Sequence, residues 1–144
     1  MTKNYQLNFF QEKNYRIDNF FDRIVDEIVK EEKTKTKFSL ELALVSDKTI
    51  QKLNAKYRSK NTPTDVLSFR NKETVLDQPW PEEDNDLGQV FISVETAIKQ
   101  AQEKGHSLNQ ELAWLSIHGI LHLLDYDHER SSQEAKTMEN KTAS

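Results

Sequence analysis

The chain has 144 residues, 35% hydrophobic and 31% charged, with a formal net charge of −4, four histidines and no cysteine. That length suits one compact domain with a real core and excludes two, so 1–144 is expected to form a single domain. The lack of cysteine excludes disulfides and thiolate metal sites, leaving imidazole and carboxylate for any transition metal; no apolar run approaches the roughly 20 residues of a membrane span, and no basic start with an apolar signal core opens the chain, so a cytoplasmic protein without membrane contact is expected.

In chain order, "YQLNFF" reads as a strand. In "RIDNFFDRIVDEIVKEEK" the residues Ile17, Phe20, Phe21, Ile24, Val25, Ile28 and Val29 recur at three- and four-residue steps, the signature of one apolar stripe on a helix. "KFSLELALV" alternates Phe38, Leu40, Leu42 and Leu44 with Ser39, Glu41 and Ala43, as a half-buried strand would. "SDKTIQKLNAKYR" opens with Ser46 or Asp47 as a cap and puts Ile50, Leu53 and Tyr57 on one helical face. "TDVLSFR" and "LGQVFISV" read as two more strands, separated by the acidic, proline-containing "KETVLDQPWPEEDND", a mobile loop. "ETAIKQAQEK" is helical and Gly105 should end it.

"SLNQELAWLSIHGILHLL" follows, with Ser107 and Gln110 spaced as a capping box and enough leucine for a central, largely buried helix. "SSQEAKTMENK" repeats the capping pattern with Ser131 and Glu134 and suggests a short last helix. The order of elements predicts a small α/β (α+β) domain, one mixed sheet of about four strands packed with about five helices, with no internal repeat.

Three of the four histidines fall between 118 and 128. On a helix, residues four apart share a face with Cβ atoms about 5–6 Å apart, so His118 and His122 can present nitrogens to one ion. His128 lies outside that register and reaches the same ion only if the helix stops soon after Leu124 and turns. Three neutral imidazoles on a tetrahedral zinc ion, one per chain, leave a position for water and lower its pKa to about 7, a site suited to hydrolysis; nickel, cobalt or copper would also be accepted. Zinc peptidases with this spacing carry a glutamate after the first histidine as general base, and here that place is Gly119. A glycine inside a buried helix costs about 1 kcal/mol in propensity, which points to close approach of a neighbouring element or of substrate. His106, before the helix, reads as a loop residue.

"HGILHLLDYDHE", together with "LNAKYRSKNTPTDVLSF" upstream, resembles the YbeY-type endoribonuclease family of bacterial rRNA maturation factors, over roughly Leu42 to Glu129. The resemblance implies a zinc held by His118, His122 and His128, cleavage of single-stranded RNA in ribosomal RNA processing and quality control, and a functional Arg58. It also implies contacts with the small ribosomal subunit and a ribosome-associated GTPase. Two positions depart from the family pattern: Asp125 stands where glycine is usual, at the expected helix end, and Gln89 where aspartate is usual.

Charge alone reads as two solvated surfaces of opposite sign, of which the basic one could meet a phosphate backbone. From Lys48 to Lys72 there are seven Lys/Arg and one acid, Asp65, whereas Glu73 to Glu95 carries seven acids and no base. A guanidinium can pair bidentately with a phosphate as negative charge develops, the role expected of Arg58, with Lys56, Lys60 and Arg70 guiding the backbone. Tyr57 either stacks a base or forms the core-facing end of its helix; Asp65 and Asp127 either orient a histidine or serve as ordinary turn acids. A non-catalytic ribosome-assembly factor with a structural zinc is the alternative, followed by a zinc peptidase.

Overall fold

The computed structural model describes residues 5–17, 20–32, 38–70 and 86–132, apart from the side chains of residues 32, 86 and 125–132. Four strands form one mixed sheet: β1 (Tyr5–Gln11), β2 (Phe38–Val45), β3 (Val66–Arg70) and β4 (Asp86–Ser93), ordered β1-β2-β4-β3. β2 runs parallel to both β1 and β4, and β3 pairs antiparallel with β4 as an edge strand. Four helices accompany them among the described residues: α1 (Phe21–Glu32), α2 (Asp47–Arg58), α3 (Val94–Lys104) and α4 (Leu108–Ser132).

The alternation of side chains along the strands divides the core in two. Leu40, Leu42, Leu44, Val90 and Ile92 face one side with residues of α1, α3 and α4. Ala43, Val45, Phe69 and Phe91 face the other, under Ile50, Leu53 and Tyr57 of α2. Parallel strands joined through helices are covered on both faces. The sequence pattern of β2 predicts one wet face, yet even Glu41 is buried, because β2 is a central strand with helices above and below it.

Local signals fix most boundaries. The Ser46 side chain accepts from Thr49 N–H at 3.2 Å, and Ser107 and Gln110 exchange hydrogen bonds of 3.1 and 3.0 Å, so both caps form as read. Gly105 closes α3 in the left-handed conformation with φ 71°. The helix expected from Ile17 begins only at Phe21, behind Arg16 with φ 56°, which no helix accommodates. Tyr5 donates to Asp26 Oδ1 at 2.7 Å, tying β1 to α1.

One expectation is corrected. The helix was to end soon after Leu124, with a turn carrying His128, but α4 continues to Ser132. No glycine or proline follows Gly119, so nothing in the chain forces a stop, and Asp125 lacks the conformational freedom of a glycine. The acidic loop from Lys72 lies outside the described residues up to residue 85; of the short last helix expected over 131–141, Ser131, its expected cap, lies inside α4, and the rest is outside the described residues.

Candidate active site

Arg58 is the last residue of α2, and Ser59 after it is left-handed at φ 59°. Its guanidinium lies with Cζ 4.6 Å from the centroid of Phe69, which is wholly buried. Nη2 donates to Ser68 O at 2.9 Å and Nη1 to Tyr57 O at 3.2 Å. A planar cation stacked on a rigid ring and hydrogen-bonded to backbone is held before any substrate arrives, so little freedom is left to lose on binding. Tyr57 packs edge-on against Phe69 with centroids 5.4 Å apart, which settles it as the core-facing end of α2. The Asp65 carboxylate accepts from Val66 N–H at 2.8 Å and Gln100 Nε2 at 3.3 Å, so it opens β3 and braces α3.

His118 and His122 are both exposed on α4, one turn apart. His118 Nδ1 lies 3.1 Å from Trp114 O. A carbonyl only accepts, so Nδ1 carries the proton and the lone pair is on Nε2, the tautomer suited to binding a cation through Nε2. These two imidazoles fit two positions of a zinc ion. The third does not follow from α4 as folded: along an unbroken helix His128 sits about 9 Å of rise beyond His122, and a shared ion requires α4 to end before it. Among the described residues no group of three His, Cys, Asp or Glu side chains could hold a metal; the side chain of His128 lies outside them.

Ser68, which the sequence marks only as a strand residue, links the two halves of the site. Its carbonyl takes Arg58, and its hydroxyl donates to Gly119 O at 3.1 Å, on the peptide beside His118. Arg58 comes from beneath one face of the sheet and α4 lies on the other, and they meet through this one edge-strand residue. Gln89 lies on the α2 face and donates to buried Glu41 at 3.3 Å, where an aspartate would set two carboxylates together.

Gly119 serves close packing. A Cβ there would meet Val90 Cγ1 at 2.6 Å and Ser68 Oγ at 3.2 Å. A glutamate at this place would point into the sheet, so the peptidase arrangement has no room. Overpacking against a stiff valine costs about 1–3 kcal/mol, against about 1 kcal/mol of helix propensity gained. Gly119→Ala should therefore lower stability in urea by about 1 kcal/mol; a more stable variant would refute the close approach.

Beside the histidines, the wholly buried Glu111 carboxylate accepts from Lys104 Nζ at 3.1 Å and meets His106 Nε2 at 2.6 Å. His106 thus does more than occupy a loop. Burial pushes the Glu111 carboxyl up, but hydrogen bonds from His106 and Lys104 and their charge outweigh it, leaving it below the ordinary carboxylate range. A groove of about 730 Å³ between α1 and α4, floored by Ile24, Ile28, Ile117 and Leu121, includes none of Arg58, His118 or His122. No helix among the described residues is long and apolar enough to cross a membrane.

With this geometry in place, comparison with known proteins gives consistent relatives. The family pattern described as Endoribonuclease YbeY matches residues 3–144. A protein of that name from Acaryochloris marina is 52% identical over 94 residues, 63% of this chain and 53% of the relative. One from Syntrophomonas wolfei is 38% identical over 138 residues, 94% of this chain and 85% of its own length. For several relatives the match spans only about half their length. The solution structure of TM1509 from Thermotoga maritima superposes with a TM-score of 0.59 at 28% identity, covering 94% of this chain and 83% of that one.

Proposed function

The chain belongs to the YbeY endoribonuclease family, and on that premise we propose that it is a metal-dependent endoribonuclease cutting single-stranded ribosomal RNA in rRNA maturation and ribosome quality control, in the cytoplasm. The observation that supports the reading is the link through Ser68, which fixes a stacked guanidinium and a pair of exposed imidazoles to one strand edge. His118 and His122 would hold one zinc ion per chain, joined by His128 where α4 ends before it. When bound, zinc supplies Lewis-acid activation of water or of a phosphoryl oxygen at neutral pH.

This chain's own residues do the rest. Arg58 pairs with the phosphate as negative charge develops, from a position that needs no reorganisation. Lys56, Lys60 and Arg70, on or beside the same elements, draw the RNA backbone in. Ser68 keeps Arg58 and α4 in step. The hydrogen bond from His118 Nδ1 to Trp114 O holds that ring's orientation. Contacts with the small ribosomal subunit and a ribosome-associated GTPase belong to the same proposal.

Metal content and cleavage of single-stranded RNA, measured on one purified sample before and after chelation, test it. About one metal per chain, cleavage lost on chelation and restored by zinc, and a melting temperature little changed are expected. Equal cutting without metal would sink the metal-dependent reading. A large fall in melting temperature, with RNA bound but never cut, would favour the assembly factor.

A further inference from the structure

Trp114 is 52% exposed although its neighbours Leu112 and Leu115 are buried. It lies one turn before His118, with ring centroids 4.2 Å apart and planes inclined at 53°. Lys104 Nζ stands 5.7 Å from the indole centroid. That ammonium is held beside the ring by Glu111, whose side chain is wholly buried while the lysine remains 45% exposed. A single exposed apolar side chain is ordinary on a protein surface. Here, however, an exposed indole, a cation tethered by a buried carboxylate and a candidate metal-binding imidazole follow one another along one edge of α4.

Single-stranded nucleic acid is bound by this combination of features: bases stack on aromatic faces and phosphates seek adjacent cations. We propose that Trp114 is a nucleobase-stacking platform, with Lys104 meeting the adjoining phosphate, and that it holds the nucleotide next to the one cut at His118 and His122. The inference rests on the endoribonuclease reading and adds to it a residue that positions substrate. The roles divide along α4. Glu111 holds Lys104, Trp114 orients the base, and His118 and His122 lie one and two turns further on. Stacking is tolerant of base identity, so the platform favours unpaired RNA over duplex without selecting a sequence.

The chain has two tryptophans, so a Trp80→Phe background leaves Trp114 as the only indole reporter. A fluorophore-labelled single-stranded 2′-O-methyl oligoribonucleotide is titrated against this protein, and against the same background carrying Trp114→Ala or Trp114→Phe, with affinity read by anisotropy and indole quenching read on the background protein. Quenching of indole fluorescence on binding, affinity about tenfold weaker in Trp114→Ala and within about threefold in Trp114→Phe are expected. An oligonucleotide with abasic positions should bind the background protein and Trp114→Ala alike, which a merely structural tryptophan would not produce. Cleavage of unmodified RNA by the wild type separates the two ways of failing. If the wild type cuts RNA while Trp114→Ala binds as tightly as its parent and no quenching occurs, the platform is wrong and the endoribonuclease reading stands. If the wild type neither binds nor cuts RNA, both fall.

Discussion

His122→Ala is expected to lose its metal and its RNA cleavage together, with a fall in rate of about 10³-fold or more, equivalent to about 4 kcal/mol of transition-state stabilisation. The fold should be almost untouched. His122 is exposed on α4, where a change to alanine costs less than about 0.5 kcal/mol and gains helix propensity. The partner experiment is Arg58→Glu, which should keep the metal and lose about 10²–10³-fold in cleavage, the usual cost of removing one preorganised charge donor. It should also lose about 1–2 kcal/mol of stability, because the stack on Phe69 and the bond to Ser68 O go with it. Metal content, melting temperature and cleavage are read on all three proteins. The division of labour fails if His122→Ala cuts at the wild-type rate, or if Arg58→Glu loses its metal as well.

Much of this was legible because it is local. The caps at Ser46 and Ser107 and the glycine stop at Gly105 depend on residues within a turn of each other and form as the spacing predicts, and the apolar stripe of α1 forms from Phe21 onward. What the sequence left open depends on how elements meet. Glu41 alternates with leucines as a solvent-facing residue would, and it is buried because β2 lies between β1 and β4 in the sheet. Ser68 carries no chemical mark, since its role arises from an edge strand passing between α2 and α4. The histidine spacing was plain, but the length of α4 was not. A helix with no breaker after Gly119 stops only where tertiary contacts or a ligand make it stop, and the place where the resemblance leads one to expect a glycine is Asp125.

Glu111→Ala is the second large effect, and it falls on stability. Glu111 looks in sequence like an ordinary acid in the first turn of a helix, but its side chain is wholly buried between α3 and α4 with Lys104 and His106 on its two oxygens. Charge-assisted hydrogen bonds contribute about 1.5–3 kcal/mol, and truncation also leaves a void. Lys104 and His106 are partly exposed and can regain water, which limits the loss, so about 3 kcal/mol is expected, read as a melting temperature lower by about 10 °C. Glu111→Gln, which keeps the shape and one acceptor oxygen, should lose about half as much. The pH dependence has a definite sign. The folded carboxyl titrates below its ordinary value of 4.5, so its contribution is fully present above the unfolded pKa and is lost as pH falls through the folded one. Wild-type stability should therefore drop more steeply below about pH 4.5 than that of Glu111→Gln, which has no carboxylate there to protonate. Parallel acid limbs for the two proteins would mean that Glu111 is not held ionised by Lys104 and His106. If Glu111→Ala also lost the tethered ammonium beside Trp114, its affinity for single-stranded RNA would fall with its stability, linking a buried carboxylate to the outer edge of the site.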